Sequence, residues 1–529
     1  MTATDVAASP AVAQEATRIF LRLVRPRPLA DPYPWYRRLR ELAPVHTVRL
    51  PGLDTALVTA SHAETALLLR HRSFGPLSPA HLDVLSPGWR HQPFTACLYR
   101  AMAFRHGHDH RASRGLAAAD FTVRATLAHR AMLTALADEL LDALERGSPE
   151  IDLVQELALP FSALAIGRVM GVPDPTALEL ARLFRTAGTI FEPLATAAQR
   201  AAQHTAGEQM LALVTDLLSA RRRTPRNDLL TRLAHHSFPS TRPQGSPGSP
   251  RIPAARDPRA SHDARGPRDA RDTHGSQNAH ATWDSRNAQD SYGTWDSRNA
   301  QDSHGARDSR DAHGAPGSDG ADGTCGADAP RYPHTPWETG APEEGAELLA
   351  EPVPLEDEAL NAVMMLFSAG SDSPVSAVGM GAHLFMEHPG QASLLRADPA
   401  LARAAAEEVL RYEPPVQLAV RSAYQDTDLA GIPVPHGGVV FGFLASANRD
   451  PSSFPDPDHF DITRTPGPTL SFGAGAHYCL GAPLARLQAE LLFPRLLSRF
   501  PDMRPAGPLH YRTPGTMLRG PDTLPVVLR

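Results

Sequence analysis

Cysteine is nearly absent from this sequence. Only three cysteines occur among 529 residues, and Cys97, Cys325 and Cys479 lie far apart along the chain. An odd, widely spaced set does not supply the disulfide framework of a small secreted protein. The sequence therefore predicts free thiols and favours a reducing, cytoplasmic location.

Strong charge of one sign and long apolar runs are also missing. The formal net charge is −6, with 52 basic and 58 acidic side chains, so nothing predicts a nucleic-acid partner. No apolar run of about 18 residues occurs, and residues 1–20 lack the basic and apolar regions of a signal peptide. We therefore expect a soluble monomer without a membrane anchor.

One long segment has few aliphatic residues. Residues 238–350 are rich in Pro, Gly, Ser, Asp, Arg, His and Asn, and such a segment buries too little apolar surface to offset the entropy lost on ordering. Residues 282–293 are repeated with one change at 294–305, which indicates either a duplication in a tolerated loop or a docking element. We expect a disordered, low-complexity insert within a single domain formed by residues 1–237 and 351–529.

Helical periodicity dominates outside the insert, at residues 125–144, 154–170, 175–186, 195–222 and 400–412. Short strand patterns occur at residues 44–48 and 55–59. The first 30 residues are expected to be mobile, and residues 73–99 read as a long functional loop. The pattern predicts a mainly α fold with small β-sheets and argues against a Rossmann enzyme.

A glycine-rich loop at residues 471–482 contains one cysteine and opens a helical pattern. Gly473, Gly475 and Gly481 allow a tight, left-handed or closely approached backbone. The N-terminus of the following helix points free N–H groups and a positive dipole end toward the Cys479 sulfur, and both features favour a thiolate. The competing interpretation is a buried structural cysteine after a turn.

The spacing from Phe472 to Gly481 is Phe-x-x-Gly-x-x-x-Cys-x-Gly. It resembles the signature of the cytochromes P450, the haem-thiolate monooxygenases. The resemblance implies a P450 fold that binds haem b, with Cys479 as the axial ligand of the iron and with Phe472, Gly473 and Gly481 against the cofactor. A thiolate in that position pushes electron density onto iron and favours O–O cleavage.

Two further positions resemble haem-propionate contacts of the family. His110 and Arg114 are four residues apart, on one face of a helix, and match its His-x-x-x-Arg pair. The alternatives are two solvated residues, or a metal site formed by the alternating histidines that end at His110. The resemblance assigns Arg421 and His477 to the propionates as well.

Residues 369–374 follow a buried helical run and resemble the oxygen-binding notch of the family. The resemblance places Gly370 beside the cofactor and gives Asp372 and Ser373 the catalytic role of delivering protons, with Ser373 in the position where threonine is usual. Pro374 has no N–H to donate, so we expect a disrupted helix at this point. The alternatives are a bend without catalytic meaning at Pro374 and a capping or paired charge at Asp372.

Glu408 and Arg411 resemble the Glu-x-x-Arg element of the family, and the resemblance implies Arg464 as its further partner. Their implied role is to hold the cysteine loop in place. Substrate contacts are expected from residues 73–99, the helix break at Phe191, residues 416–420 and a terminal turn near residues 517–518.

The implied reaction is the activation of O₂ and the hydroxylation or epoxidation of a small organic molecule, free or bound to a carrier protein, in secondary metabolism. The chain has no Gly-x-Gly-x-x-Gly fingerprint after a strand. Electrons are therefore expected from NAD(P)H through a ferredoxin reductase and a ferredoxin that docks on the Cys479 face. Two alternatives stay open, namely a peroxide-driven or ring-coupling haem-thiolate oxidase and a non-catalytic haem protein that recruits partners.

Overall fold

The structure is a computed structural model that describes residues 10–24, 29–49, 55–86, 88–188, 197–236, 357–512 and 517–529. The predicted insert at residues 238–350 and the predicted break at Phe191 lie outside these ranges. The division of the chain into a domain and an insert therefore stays a prediction.

Helices dominate the described chain, as the periodicity predicts. Their bounds are α1 Pro10–Leu23, α2 Tyr33–Leu42, α3 His62–Arg70, α4 Pro79–Leu85, α5 Pro93–Arg100, α6 Gly107–Gly115, α7 Val123–Ala128, α8 Arg130–Arg146, α9 Leu159–Met170, α10 Asp174–Ala187, α11 Ala197–Arg223, α12 Leu229–His235, α13 Glu358–Glu387, α14 Pro389–Ala397, α15 Ala402–Tyr412, α16 Leu444–Ala447 and α17 Ala482–Arg499. Short 3₁₀ turns and one π-helical turn, Val154–Ala158, connect several of them.

The strands are short. They are β1 Val45–Arg49, β2 Thr55–Thr59, β3 Phe74–Gly75, β4 Glu150–Asp152, β5 Leu418–Ala423, β6 Thr427–Leu429, β7 Ile432–Val434, β8 Val439–Phe443, β9 Arg504–Pro505, β10 His510–Tyr511, β11 Pro521–Thr523 and β12 Pro525–Val527. The prediction of a mainly α fold with small sheets is confirmed.

The largest sheet has the order β1-β2-β8-β5-β3. β1 and β2 form an antiparallel hairpin in which Val45 pairs with Thr59, whereas β2 and β8 run parallel. β5 pairs antiparallel with both β8 and β3. Arg421, which belongs to β5, therefore sits one strand in from the edge of this sheet.

Helix α13 is the central element of the described body. Its first turn is capped by Asp357, whose Oδ1 accepts hydrogen bonds from the N–H groups of Ala359 and Leu360 at 3.0 and 3.3 Å. Glycines let neighbours approach closely, since a side chain at Gly381 would lie 2.2 Å from the Phe493 ring of α17. Apolar residues on nearly all sides of α13 are buried.

The expected disruption at Pro374 is wrong, because α13 is one continuous helix of 30 residues with Pro374 inside it. Proline removes a single backbone hydrogen bond. Pro374 and the eight residues after it are buried, and that packing holds the helix together.

Two other expectations are corrected. The first 30 residues contain α1, whose buried Ala16, Ile19 and Phe20 follow helical spacing, and the Phe20 ring lies 4.9 Å from that of Phe441. Residues 73–99 are not an irregular loop but contain β3, α4 and α5, and both helices begin with a proline in the first turn. Across the described ranges, no helix is both long enough and apolar enough to span a bilayer.

Candidate active site

The middle of α13 has one exposed position within a buried stretch. Between residues 363 and 382 every side chain is buried except Ala369, which is exposed, and Gly370 and Ser373, which are half-buried. Ala369 and Ser373 are four residues apart and share one helix face. The most deeply packed helix therefore has one open face at its centre.

The cysteine loop has two glycines in the left-handed region. Gly473 and Gly475 have φ of 69° and 70°, and a side chain at Gly475 would lie 2.4 Å from the carbonyl oxygen of Leu69. Gly481 differs from the expectation, because its φ of −82° is ordinary and no atom would crowd a side chain there. The loop is closed by a hydrogen bond from the Cys479 N–H to the carbonyl of Phe472, at 2.9 Å.

Cys479 combines exposure to solvent with a dense protein environment. Its side chain is exposed, yet burial raises the pKa of its thiol. The exposure of the side chain and the burial effect on its pKa are compatible if the sulfur faces an opening inside the protein. The N–H groups of Gly481 and Ala482 and the nearby Arg114 and Arg486 act in the opposite direction on this pKa. The N–H groups thus favour the thiolate, as expected, while burial opposes it.

Cations gather close to the cysteine loop. The ring of His110 stacks on that of His477 with 4.0 Å between centroids. Burial lowers the pKa of Arg421 to about 10 and also lowers the pKa of Arg114, and within the described ranges no carboxylate counters either shift. Burial, with His110 and Arg421, lowers the pKa of His477 to about 3. Arg114 and Arg421 thus carry positive charge that no carboxylate of the described chain balances, beside two histidines whose pKa is lowered.

One neighbour of this group is absent from the sequence-based prediction. The ring of His106 stacks on Tyr424 with 4.1 Å between centroids, and its Nδ1 is buried without a hydrogen-bond partner in the described chain. The sequence shows His106 one helical turn before His110, but the residue was considered only as one of the alternating histidines. Among the described residues, no group of three or more His, Cys, Asp or Glu side chains forms a metal site.

These observations fit a haem. An exposed cysteine is available as an iron ligand, and N–H groups directed at its sulfur stabilise a thiolate. Arg114 and Arg421 offer unpaired positive charge for two propionates. The open face at Ala369 leaves room against α13.

The sequence profile described as Cytochrome P450 matches residues 351–506, which include α13 and the cysteine loop. The cytochrome P450 monooxygenase PikC of Streptomyces venezuelae is 27% identical over 508 residues, which cover 94% of this chain and 91% of PikC. The biotin biosynthesis cytochrome P450 of Bacillus subtilis is 25% identical over 482 residues, 90% of each chain. The chain belongs to the cytochrome P450 family. It is accordingly an oxidoreductase of the monooxygenase type, and the cofactor of its family is haem-thiolate iron.

Solved P450 structures share the fold. P450BioI, in complex with an acyl carrier protein that carries hexadec-9Z-enoic acid, superposes with a TM-score of 0.67 at 24% identity and covers 94% of this chain and 99% of its own. CYP164A2 of Mycobacterium smegmatis, free of ligand, gives a TM-score of 0.64 at 26% identity and covers 97% and 100%. The mainly helical body with small sheets is therefore the P450 fold.

Asp372 is buried in an ion-pair cluster, which is the alternative of a paired charge, although its partners were not predicted. Its Oδ2 accepts a hydrogen bond from Nη1 of Arg512, and its Oδ1 lies 3.9 Å from Nη1 of Arg185 in α10. Neither atom of the second pair has a hydrogen-bond partner within the described chain. Nη2 of Arg512 donates to the carbonyl of Arg185 at 2.6 Å. Asp372 thus joins α13 to α10 and to the C-terminal strands.

Ser373 and Gly370 have different surroundings. The Ser373 hydroxyl donates to the carbonyl of Ala369 at 3.0 Å, within the open face of α13. A side chain at Gly370 would lie 2.7 Å from Cγ1 of Ile166 in α9, so close helix packing accounts for this glycine. The structure gives Gly370 no other distinguishing contact.

The predicted Glu-x-x-Arg element is assembled. Nε and Nη2 of Arg411 each donate to one carboxylate oxygen of Glu408 at 2.7 Å, and Nε of Arg464 lies 3.4 Å from Glu408 Oε1. Arg411 is 1% exposed and Glu408 is 4% exposed. A buried pair of this kind is held by additional hydrogen bonds, and Arg411 also donates to the carbonyls of Asn448 and Pro457 at 3.0 and 2.8 Å.

Phe472 is covered by a cation. The guanidinium of Arg486 in α17 lies 4.5 Å from the centre of its ring, and Nη1 of Arg486 donates to the Tyr478 hydroxyl at 2.9 Å. Arg486 also forms an ion pair with Glu407 of α15. The loop residue expected to lie against the haem is therefore held between its own loop and α17.

Proposed function

We propose that this P450 uses O₂ to hydroxylate or epoxidise a small, mostly apolar organic molecule in secondary metabolism. When bound, the haem supplies the activation of oxygen, and the protein supplies the ligand, the position of the substrate and access for protons. In this proposal Cys479 is the ligand, while His110, Arg114, Arg421 and His477 hold the propionates.

The observation that carries the proposal is that Ala369 of α13 and Cys479 are exposed, although the segments around them are densely packed. Val416 pairs with Leu518 across a β-bridge, and Val416 and Ala419 pack against the cluster that contains Leu470 and Ala474 of the cysteine loop. Apolar walls with few polar groups suit an apolar ligand.

Ser373 is the candidate residue for holding a proton at the open face. The residue is half-buried, and among the described residues its hydroxyl is bound to Ala369 O. Ser371, two residues earlier, has a buried hydroxyl that donates to Ser368 O at 3.4 Å, and it serves as a matched control. We expect Ser373→Ala to raise the fraction of reductant lost as hydrogen peroxide, whereas Ser371→Ala leaves it unchanged. If Ser373→Ala and Ser371→Ala form the same amount of product per electron, the result contradicts the role of the Ser373 hydroxyl and favours a peroxide-driven mechanism.

The electron donor is proposed to be a ferredoxin that is reduced from NAD(P)H by its reductase. Exposed arginines lie on elements beside the cysteine loop, namely Arg70 and Arg72 at the end of α3 and Arg111 on α6. They suit an acidic partner, whose association slows as salt screens the charges. Arg70→Glu with Arg111→Glu should slow reduction of the haem, and Arg182→Glu, an exposed site on α10, should not.

Delivery of the substrate on a carrier protein is part of the proposal, because P450BioI was solved with an acyl carrier protein. The test compares fatty acids of several lengths, free and linked to a carrier protein, by the shift of the haem absorption band. It then supplies isotopically labelled O₂ with ferredoxin, reductase and NADPH. One labelled oxygen atom in the product supports the proposal. A product whose oxygen comes from water or added peroxide contradicts it.

A further inference from the structure

Asn448 is a buried amide between two hydrogen-bonded groups. It is 0% exposed, and it follows α16 directly. Its Nδ2 donates to the hydroxyl of Ser471 at 2.8 Å, and its Oδ1 accepts from the N–H of Leu470 at 2.7 Å. Both polar atoms of the side chain therefore hold the residues at which the chain enters the cysteine loop.

The same residue is joined to the Glu408–Arg411 pair by two routes. Its backbone carbonyl accepts a hydrogen bond from Nη1 of Arg411 at 3.0 Å. The Ser471 hydroxyl, which accepts from Asn448, donates its own proton to the carbonyl of Leu410 at 2.7 Å. Each donor therefore meets an acceptor, and this part of the network is fully satisfied.

From these anchored residues the hydrogen bonds continue to the cysteine. The carbonyl of Leu470 accepts from Gly473 N–H at 2.8 Å and fixes the left-handed turn. The carbonyl of Phe472 accepts from Cys479 N–H at 2.9 Å. The position of the Cys479 backbone thus depends on a segment that the Asn448 amide holds.

We infer that Asn448 is a positioning residue, which transmits the rigidity of the buried Glu408–Arg411 pair to the Cys479 loop. The inference rests on the proposed role of Cys479 as the haem ligand. Only a side chain that donates at one end and accepts at the other satisfies both Ser471 and Leu470. An aspartate would turn two acceptors toward each other at Ser471, and a leucine would leave the Leu470 N–H unpaired.

A general contribution to stability is the alternative that the experiment has to separate. Asn361 in α13 provides the matched control, because it is also a buried amide, 2% exposed, and its Oδ1 has no hydrogen-bond partner in the described chain. Asn361→Leu removes a buried amide without touching the cysteine loop. Ser471→Ala is the mild variant, since it removes one of the two contacts of Asn448 and keeps the other.

The experiment uses the full-length, haem-loaded chain with Asn448→Asp, Asn448→Leu, Ser471→Ala and Asn361→Leu. Each protein is reduced under carbon monoxide, held at a fixed interval below its own melting temperature, and followed as the long-wavelength thiolate band converts to the short-wavelength band. An unpaired buried N–H corresponds to roughly a tenfold change in an equilibrium or rate. We expect conversion to be about tenfold faster in both Asn448 variants, less accelerated in Ser471→Ala, and unchanged in Asn361→Leu. A redox titration should show shifted midpoint potentials in the same order.

Conversion in the Asn448 variants at the rate of Asn361→Leu would overturn the positioning role and leave Asn448 as an ordinary buried amide. An unmodified protein that lacks the thiolate band altogether would overturn the assignment of Cys479, and the role of Asn448 with it. The two failures are distinguished by the spectrum of the unmodified protein.

Discussion

The ion pair between Arg512 and Asp372 is expected to make a large contribution to stability. Both side chains are almost fully buried, with 9% and 4% of their surface exposed. Arg512→Met keeps most of the apolar stem of the side chain but leaves the Asp372 carboxylate with only Arg185, whose Nη1 is 3.9 Å away. Removing one partner of a buried pair costs roughly 3–5 kcal/mol. Because Arg185 compensates in part, we expect a loss of about 3 kcal/mol in the free energy of unfolding.

A double-mutant cycle isolates the pair from other effects of the substitutions. It compares Arg512→Met, Asp372→Asn and the double variant by denaturant unfolding, and we expect a coupling energy of about 2 kcal/mol. Arg182→Met on the exposed side of α10 is the control, with an expected change within about 0.5 kcal/mol. A coupling energy indistinguishable from zero would refute the pairing of these two side chains.

Three further predictions concern other parts of the chain. His46 is 2% exposed, and its Nε2 lies 2.9 Å from the carbonyl oxygen of Leu39. Burial lowers the pKa of its imidazole, so below about pH 6.5 the unfolded chain binds more protons than the folded protein. Stability should therefore fall as the pH drops from 7.5 to 5.5, and His46→Gln should flatten this dependence in urea titrations; an unchanged slope would contradict a neutral buried imidazole. Arg486→Leu removes a cation that acts on the Cys479 thiolate, so the midpoint potential should become more negative, while an equal or higher potential would exclude that electrostatic effect. Replacing residues 243–345 by a short Gly/Ser linker should preserve haem content, because loop-closure entropy changes slowly with length; loss of haem would show that the segment is required by the domain.

The cysteine loop and the Glu408–Arg411 pair were predictable because their information is local. Fixed spacings within ten residues carry the ligand and its glycines, and an i, i+3 spacing carries the ion pair. Helix α1 was also readable in principle, since Ala16, Ile19 and Phe20 follow helical spacing. This helix was not predicted because the first 30 residues were expected to be mobile.

The partners of Asp372 were not predictable from local pattern. Arg185 lies near the end of a helix and Arg512 follows a short strand, and only the tertiary fold brings them to the same carboxylate. Pro374 shows the opposite error. The local rule that proline disrupts a helix was applied there, but the packing around Pro374 keeps the helix continuous. The thiol of Cys479 shows a third limit, because burial, which the sequence does not display, opposes the N–H groups that favour a thiolate.

The most direct test of the account is the carbon monoxide difference spectrum of the reduced, full-length protein beside that of Cys479→Ser. A thiolate ligand at Cys479 predicts the long-wavelength band in the unmodified protein and its loss in Cys479→Ser. Cys97→Ser, which removes a buried thiol whose pKa burial raises to about 12, should leave the band unchanged. A long-wavelength band that persists in Cys479→Ser would contradict the assignment of this cysteine as the haem ligand.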